Sequence, residues 1–250
     1  MGPATVSEES GLDVGPHPHV GLQTVTWLLD GQALHRDSLG SEQVIAPGQL
    51  NLMTAGDGVV HSEEATGHYR GQLEGIQLWV AQPEVTRHAA AGFEHHTDLP
   101  RVDLSGVTAT VLTGEFGEFI SPARHDTPLA GIDIDCHGGV SDLPLHPDWE
   151  YAAVVLRGAL QVEGHVLTPG HLGYLGDGRD ELRLDAEPGT RALLLGGVPF
   201  GEEIVMWWNF VARSRDELTA AYNAWRNGND RFGAVTSPLD RIPAPEPYWK

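Results

Sequence analysis

Residues 17–19 read His17-Pro18-His19, and residues 61–63 read His61-Ser62-Glu63, 44 positions further on (61 − 17). On a β-strand, residues i and i+2 project from the same face. Each triplet therefore aims two donor groups in one direction, with Pro18 or Ser62 turned away. Two such strands facing each other inside a barrel bring three imidazoles and one carboxylate together. That set suits an open first-row metal site and does not resemble structural zinc. Either pair alone reads as two polar surface residues. Both pairs, each beside Gly-rich turns and hydrophobic strands, read as a metal site.

The surrounding chain is punctuated as β structure. Residues 24–29, 77–80, 107–112, 152–156 and 191–195 are short β-branched or apolar runs, and 31 glycines and 17 prolines break up the 250 residues. This is the pattern of a sandwich or barrel. One segment reads as helix: Ser214 caps it, Glu217 completes a capping box, Leu218, Tyr222 and Trp225 recur at helical spacing, and Gly228 ends it. That helix is expected to cover a sheet or barrel face.

The strand plan occurs twice. His19 lies twelve residues before Gly31 (31 − 19), and His146 twelve before Gly158 (158 − 146). Pro47-Gly48 and Gly56-Asp57-Gly58 in the first copy answer to Pro169-Gly170 and Gly176-Asp177-Gly178 in the second. The repetition implies two similar β-barrels joined within the loop-like residues 121–128. Overlaying the copies sets Pro144 at the place of His17, His146 at His19, Glu181 at His61 and Arg183 at Glu63. A cation at the last position opposes a metal, so the second barrel is expected to hold none.

Composition narrows the class. Thirty-five acidic residues against fifteen basic ones leave a formal net charge of −20, which repels phosphate backbones and argues against autonomous nucleic-acid binding. The single cysteine, Cys136, rules out an internal disulfide framework and reads as a buried thiol in a strand, fitting a reducing compartment. No run approaches eighteen apolar residues, and the start lacks a secretory pattern. A soluble, cytoplasmic chain with no membrane partner is the expectation.

Three long ungapped stretches carry a family resemblance: residues 17–26, His35-Arg36-Asp37-Ser38-Leu39-Gly40, and residues 53–63. Together with residues 203–210 and Arg231-Phe232-Gly233, they resemble the signature of the pirin family of the cupin superfamily. The resemblance implies an all-β bicupin with a short C-terminal helix. Residues 1–120 would form an N-terminal metal-binding cupin barrel, and residues 121–250 a C-terminal barrel without metal, plus the helix and tail. It implies one iron bound by His17, His19, His61 and Glu63. Family members usually carry more strand-forming sequence upstream, whereas sixteen residues precede His17 here, which implies a first barrel short of an edge strand.

Three imidazoles and a carboxylate leave a divalent ion near +1 with two open octahedral positions. The resemblance implies Fe(II), while the ligand set also takes Mn, Co, Ni, Cu or Zn. In some pirins it extends to flavonol 2,3-dioxygenase (quercetinase) activity, in which a flavonol and dioxygen react at the metal with loss of carbon monoxide. Glu63 would then be both ligand and candidate base for the substrate 3-hydroxyl. The alternative is a non-enzymatic, redox- or iron-responsive regulator that binds a transcription factor or metabolic enzyme. A scaffold that keeps a metal without activity is a third reading, which the intact ligand set argues against.

Smaller expectations complete the reading. His35 and Asp37 take structural hydrogen bonds, Met53 belongs to the core, and Trp207 and Trp208 anchor the helix. His68 lies in a loop, while His95, His96 and His125 lie at the surface.

Overall fold

The computed structural model describes residues 2–7 and 11–249. Among these, the chain divides into two compact units, residues 2–97 with 202–249, and residues 98–201. The first unit contains β1 (Ala4–Val6), β2 (Asp13–His19), β3 (Leu22–Asp30), β4 (Ala33–Asp37), β5 (Glu42–Ile45), β6 (Leu50–Thr54), β7 (Val59–Glu64), β8 (Gly71–Ala81) and β9 (Gly92–His96). They pair antiparallel in the orders β1-β8-β3-β6-β9 and β2-β7-β4-β5. The expected run at 24–29 lies in β3, between β8 and β6, and residues 22–28 are all buried. Residues 4–6, ahead of the first triplet, supply an edge strand on β8. Gly56 turns the chain toward β7 with φ of 55°, and a Cβ there would stand 2.0 Å from the Ala89 carbonyl oxygen. Only glycine fits that turn.

The second unit contains β10 (Arg101–Leu104), β11 (Val107–Phe116), β12 (Phe119–Ile120), β13 (Leu129–Cys136), β14 (Gly139–Pro144), β15 (Glu150–Arg157), β16 (Leu160–Val162), β17 (His165–Leu167), β18 (Leu172–Gly176), β19 (Glu181–Ala186) and β20 (Arg191–Gly197). One sheet runs β10-β11-β13-β20-β15-β18 with β12 on β11, and the other runs β14-β19-β16-β17. Val111, Ile132, Ile134, Leu143, Leu182 and Leu194 sit in one buried cluster. Each such side chain contributes roughly 1.5–3 kcal/mol on removal from water.

The chain then returns to the first unit as β21 (Val205–Trp207), β22 (Phe210–Ala212) and α1 (Arg215–Asn227). The Ser214 hydroxyl accepts from the Glu217 N–H at 3.3 Å, and Gly228 closes the helix in the left-handed region. The Glu217 carboxylate does not complete a reciprocal capping box: it accepts from the Arg213 N–H and from Arg87. Leu218, Tyr222 and Trp225 pack in one cluster with Val20, Val60 and Phe210, flanked by Trp207 and Trp208. The helix is thus barrel packing, and the two tryptophans are its anchors.

The expected boundary between residues 120 and 121 does not coincide with this division. Ser121 is tied to β11, its hydroxyl donating to the Leu112 carbonyl at 2.9 Å and its N–H to the Gly114 carbonyl at 2.9 Å. The segment after 120 therefore belongs inside the second unit, which begins at Asp98. The helix, assigned from sequence order to the second half, belongs to the first unit because its apolar face closes on Val20 and Val60. No helix among the described residues is long and apolar enough to cross a membrane.

Candidate metal centre

β2 and β7 lie side by side, with His17 directly opposite His61 and His19 opposite Val59. His17, His19 and His61 are buried, at 7, 0 and 1% exposure, and their ring centroids are separated by 4.3–5.1 Å. One ring nitrogen from each lies within 4.8 Å of the other two. The other face of the same strands goes to packing, with Val60 opposite Pro18 and set against α1.

Hydrogen bonding gives each ring a direction. His17 Nδ1 lies 2.9 Å from the Gly15 carbonyl, to which it donates, leaving the Nε2 lone pair free. The Asp37 carboxylate accepts from His35 Nε2 at 3.1 Å, so His35 Nδ1 is an acceptor for His61 Nδ1–H at 3.3 Å. His61 is thereby held with Nε2 bare. Asp37 also accepts from the Leu39 and Ser41 N–H groups. Burial pushes its carboxyl up, but these bonds outweigh it and hold the group below the usual aspartate value. Phe93 stacks on His35 at 4.4 Å. The expected structural role of His35 and Asp37 is realised as orientation of a metal-ligand candidate.

His19 carries the test of fit. Its Nε2 lies 3.1 Å from His61 Nε2, while its Nδ1 is buried without a well-formed hydrogen bond among the described residues. With its proton on Nε2, His19 can donate to His61, but Nδ1 is then left unsatisfied. A proton on Nδ1 instead leaves two lone pairs facing each other. A cation bound by both Nε2 atoms removes the conflict, with the His19 proton turned toward the Asn209 backbone. Two nitrogens about 2.1 Å from one ion at right angles stand roughly 3.0 Å apart, the spacing this pair shows. Burial pushes the His19 and His61 imidazoles well below the usual histidine value and lowers His17. Burial thus favours the neutral form of each ring, the form that ligates.

Glu63 shares the His61 face of β7 and is 8% exposed, but its carboxylate does not join the group of donors that lie within 4.8 Å of one another. Its Oε1 accepts from Gln77 Nε2 at 2.7 Å, and Trp79 Nε1 donates to Gln77 Oε1 at 3.3 Å. The Trp79 ring meets His19 edge-on at 5.2 Å. Burial raises the Glu63 carboxyl above its ordinary value. Gln77 and Trp79 were legible in the sequence only as strand residues, although their i, i+2 spacing repeats the rule that found the triplets.

The duplicated positions behave differently in the second unit. Pro144 pairs with Glu181, as His17 does with His61, yet Pro144, Glu181 and Arg183 are exposed and His146 is half-buried. Leu143, Leu145, Leu182 and Leu184 face the core instead. The overlay by glycine spacing therefore keeps the pairing but selects the outer face, because an offset of one residue turns every side chain over.

Other expectations are placed as follows. Met53 is core, at 1% exposure, and His68 lies in a bend. Cys136 is buried at the end of β13. His95, His96 and His125 are half-buried rather than on the surface, held by Asn51, Glu94 and the Ala123 carbonyl.

Two cupin-type barrels in one chain, the first with three converging histidines, define a bicupin with a candidate metal centre. The Pirin family model matches residues 1–80, and the model of the pirin C-terminal cupin domain matches residues 132–233. A Pseudomonas aeruginosa protein provisionally named a quercetin 2,3-dioxygenase is 50% identical, over all of this chain and 79% of its own length. A pirin-like protein of Caulobacter vibrioides is 34% identical over 98% of this chain and 87% of its own. The crystal structure of a quercetin 2,3-dioxygenase from Acinetobacter baumannii superposes with a TM-score of 0.95 at 43% identity, over 100% of this chain and 84% of that one. The chain belongs to the pirin family.

Proposed function

We propose that this chain is a metal-dependent dioxygenase of flavonols, of the quercetin 2,3-dioxygenase type, holding one Fe(II) on His17, His19, His61 and Glu63. The observation that carries the metal is the pair of Nε2 atoms of His19 and His61, 3.1 Å apart, whose one hydrogen-bonded arrangement leaves the buried His19 Nδ1 unsatisfied. The reaction class is supported by the names of the Pseudomonas relative and of the Acinetobacter structure, at 50 and 43% identity. The buried Cys136 supports a reducing, cytoplasmic setting.

When bound, the metal would supply a Lewis acid and a redox centre at which a flavonol and dioxygen meet. The residues of the chain then have separate tasks. His17, His19 and His61 present neutral nitrogens from a rigid pair of strands, two of them set by the Gly15 carbonyl and the Asp37–His35 couple. Glu63 takes the flavonol 3-hydroxyl proton on its carboxylate, a step favoured by the burial that raises its proton affinity. Gln77 steadies the carboxylate by donating to its Oε1. Trp79, 41% exposed and edge-on to His19, offers an aromatic wall to a planar substrate.

Oxygen uptake by protein loaded anaerobically with Fe(II) tests the reading. One dioxygen consumed and one carbon monoxide released per quercetin is expected. No uptake by fully loaded protein would refute the enzymatic reading and leave the iron-responsive regulator.

A further inference from the structure

β2 contains one residue more than its partner between two paired positions. Val14 pairs with Glu63 and His17 with His61, three steps on β2 (17 − 14) against two on β7 (63 − 61). The extra residue falls at Gly15-Pro16 and forms a β-bulge. Bulges re-aim a neighbouring side chain, and this one turns the Gly15 carbonyl onto His17 Nδ1 at 2.9 Å. β2 ends its sheet order, and Pro16 and Pro18 have no N–H to give a ladder. Among the described residues, no other strand pairs with β2 on the outer side of the bulge.

Residues 239–242, beyond α1, fix it. The Ile242 N–H donates to the Pro16 carbonyl at 2.9 Å. The Asp240 carbonyl oxygen lies 2.1 Å from where a Gly15 Cβ would stand, and Leu239 Cβ lies 3.5 Å from the same point. Position 15 thus admits only glycine while this segment is seated. The segment is itself held by α1, since Trp225 Nε1 donates to the Ile242 carbonyl at 2.9 Å. The Arg241 guanidinium lies 3.3 Å above the Trp225 ring and donates to the Trp225 carbonyl.

We infer that residues 239–242 position the His17 imidazole by clamping the Gly15-Pro16 bulge, with Gly15 as the contact through which they act. The clamp sets which carbonyl His17 Nδ1 meets and therefore where Nε2 points. Its consequence for metal binding rests on the proposed function, but the ring orientation does not.

The test is ¹⁵N NMR of the His17 ring in metal-free protein, followed by Co(II) titration. Wild type is expected to show His17 protonated at Nδ1. In Gly15→Ala the added Cβ expels the Asp240 carbonyl, so His17 should become a mixture of tautomers. Co(II) affinity should fall 10–100-fold, as for other outer-shell partners, with an altered visible absorption spectrum. Ile242→Pro, which removes the donor to Pro16, should act in the same direction and carries the test if Gly15→Ala does not fold. Leu73→Ala, a core truncation in the same unit, should lower the melting temperature and change neither readout. A wild-type tautomer and spectrum in both bulge variants would overturn the inference. Absence of Co(II) uptake by wild type would sink the metal reading, while the NMR result would still decide the positioning.

Discussion

His35 Nδ1 faces His61 Nδ1 at 3.3 Å, with the Asp37 carboxylate fixing the far side of the His35 ring at 3.1 Å. This couple leaves a buried histidine with a defined bare nitrogen, as a metal ligand would need. Asp37→Asn keeps the shape but weakens the acceptor, and His35→Phe removes it. Each is expected to weaken metal binding 10–100-fold with the barrel still folded. Isothermal titration with Co(II) checks this, and affinities within twofold of wild type would show that His61 needs no such support.

Glu63→Gln separates proton transfer from metal holding. The amide keeps an oxygen and nearly the same shape but cannot take the flavonol proton. Turnover per bound iron should drop by a factor on the order of 10²–10⁴ while iron content changes little. Iron content and quercetin consumption measured on the same samples decide it, and equal turnover per iron would remove Glu63 as the base.

Cys136 gives a pH dependence with a worked sign. Burial, aided by Asp135, pushes its thiol up to about 11. An unfolded cysteine loses its proton near pH 8.5, so between these values the folded chain holds the proton and the unfolded chain does not. Stability from this group is present below pH 8.5 and declines as pH rises through 11. Wild type should therefore lose about 2–3 kcal/mol relative to Cys136→Ala between pH 8 and pH 11. Urea unfolding of both proteins across that range measures the difference, and parallel curves would place the thiol in contact with solvent.

The charge of −20 removes the counterion-release term that gives most proteins their non-specific DNA affinity. A mobility-shift assay at physiological salt, without a partner protein, should show no binding. A nanomolar shift would contradict this.

The two triplets were readable because strand periodicity is local: His17, His19 and His61 share a face wherever those strands pair. The same rule fails over the repeat, where one residue of offset turned Pro144, Glu181 and Arg183 to the outside. The fourth expected donor, Glu63, is on the same face, but its carboxylate is bonded to Gln77, fourteen residues away (77 − 63) on a strand of the other sheet. The division into units escaped the sequence for a similar reason. The helix follows the second barrel in the chain, yet its apolar face is complementary to Val20 and Val60. Long-range contacts of this kind leave no periodic trace.

The central claim is that His17, His19 and His61 hold one metal ion. Elemental analysis of purified wild type and His61→Ala, each loaded with Fe(II) under anaerobic conditions and desalted, tests it most directly. The variant loses a nitrogen that Ser62 cannot replace, because Ser62 points to the other face and donates to Glu64. One metal per wild-type chain and close to none in the variant is the predicted result. Two tightly held ions per chain, or an undiminished content in His61→Ala, would contradict it.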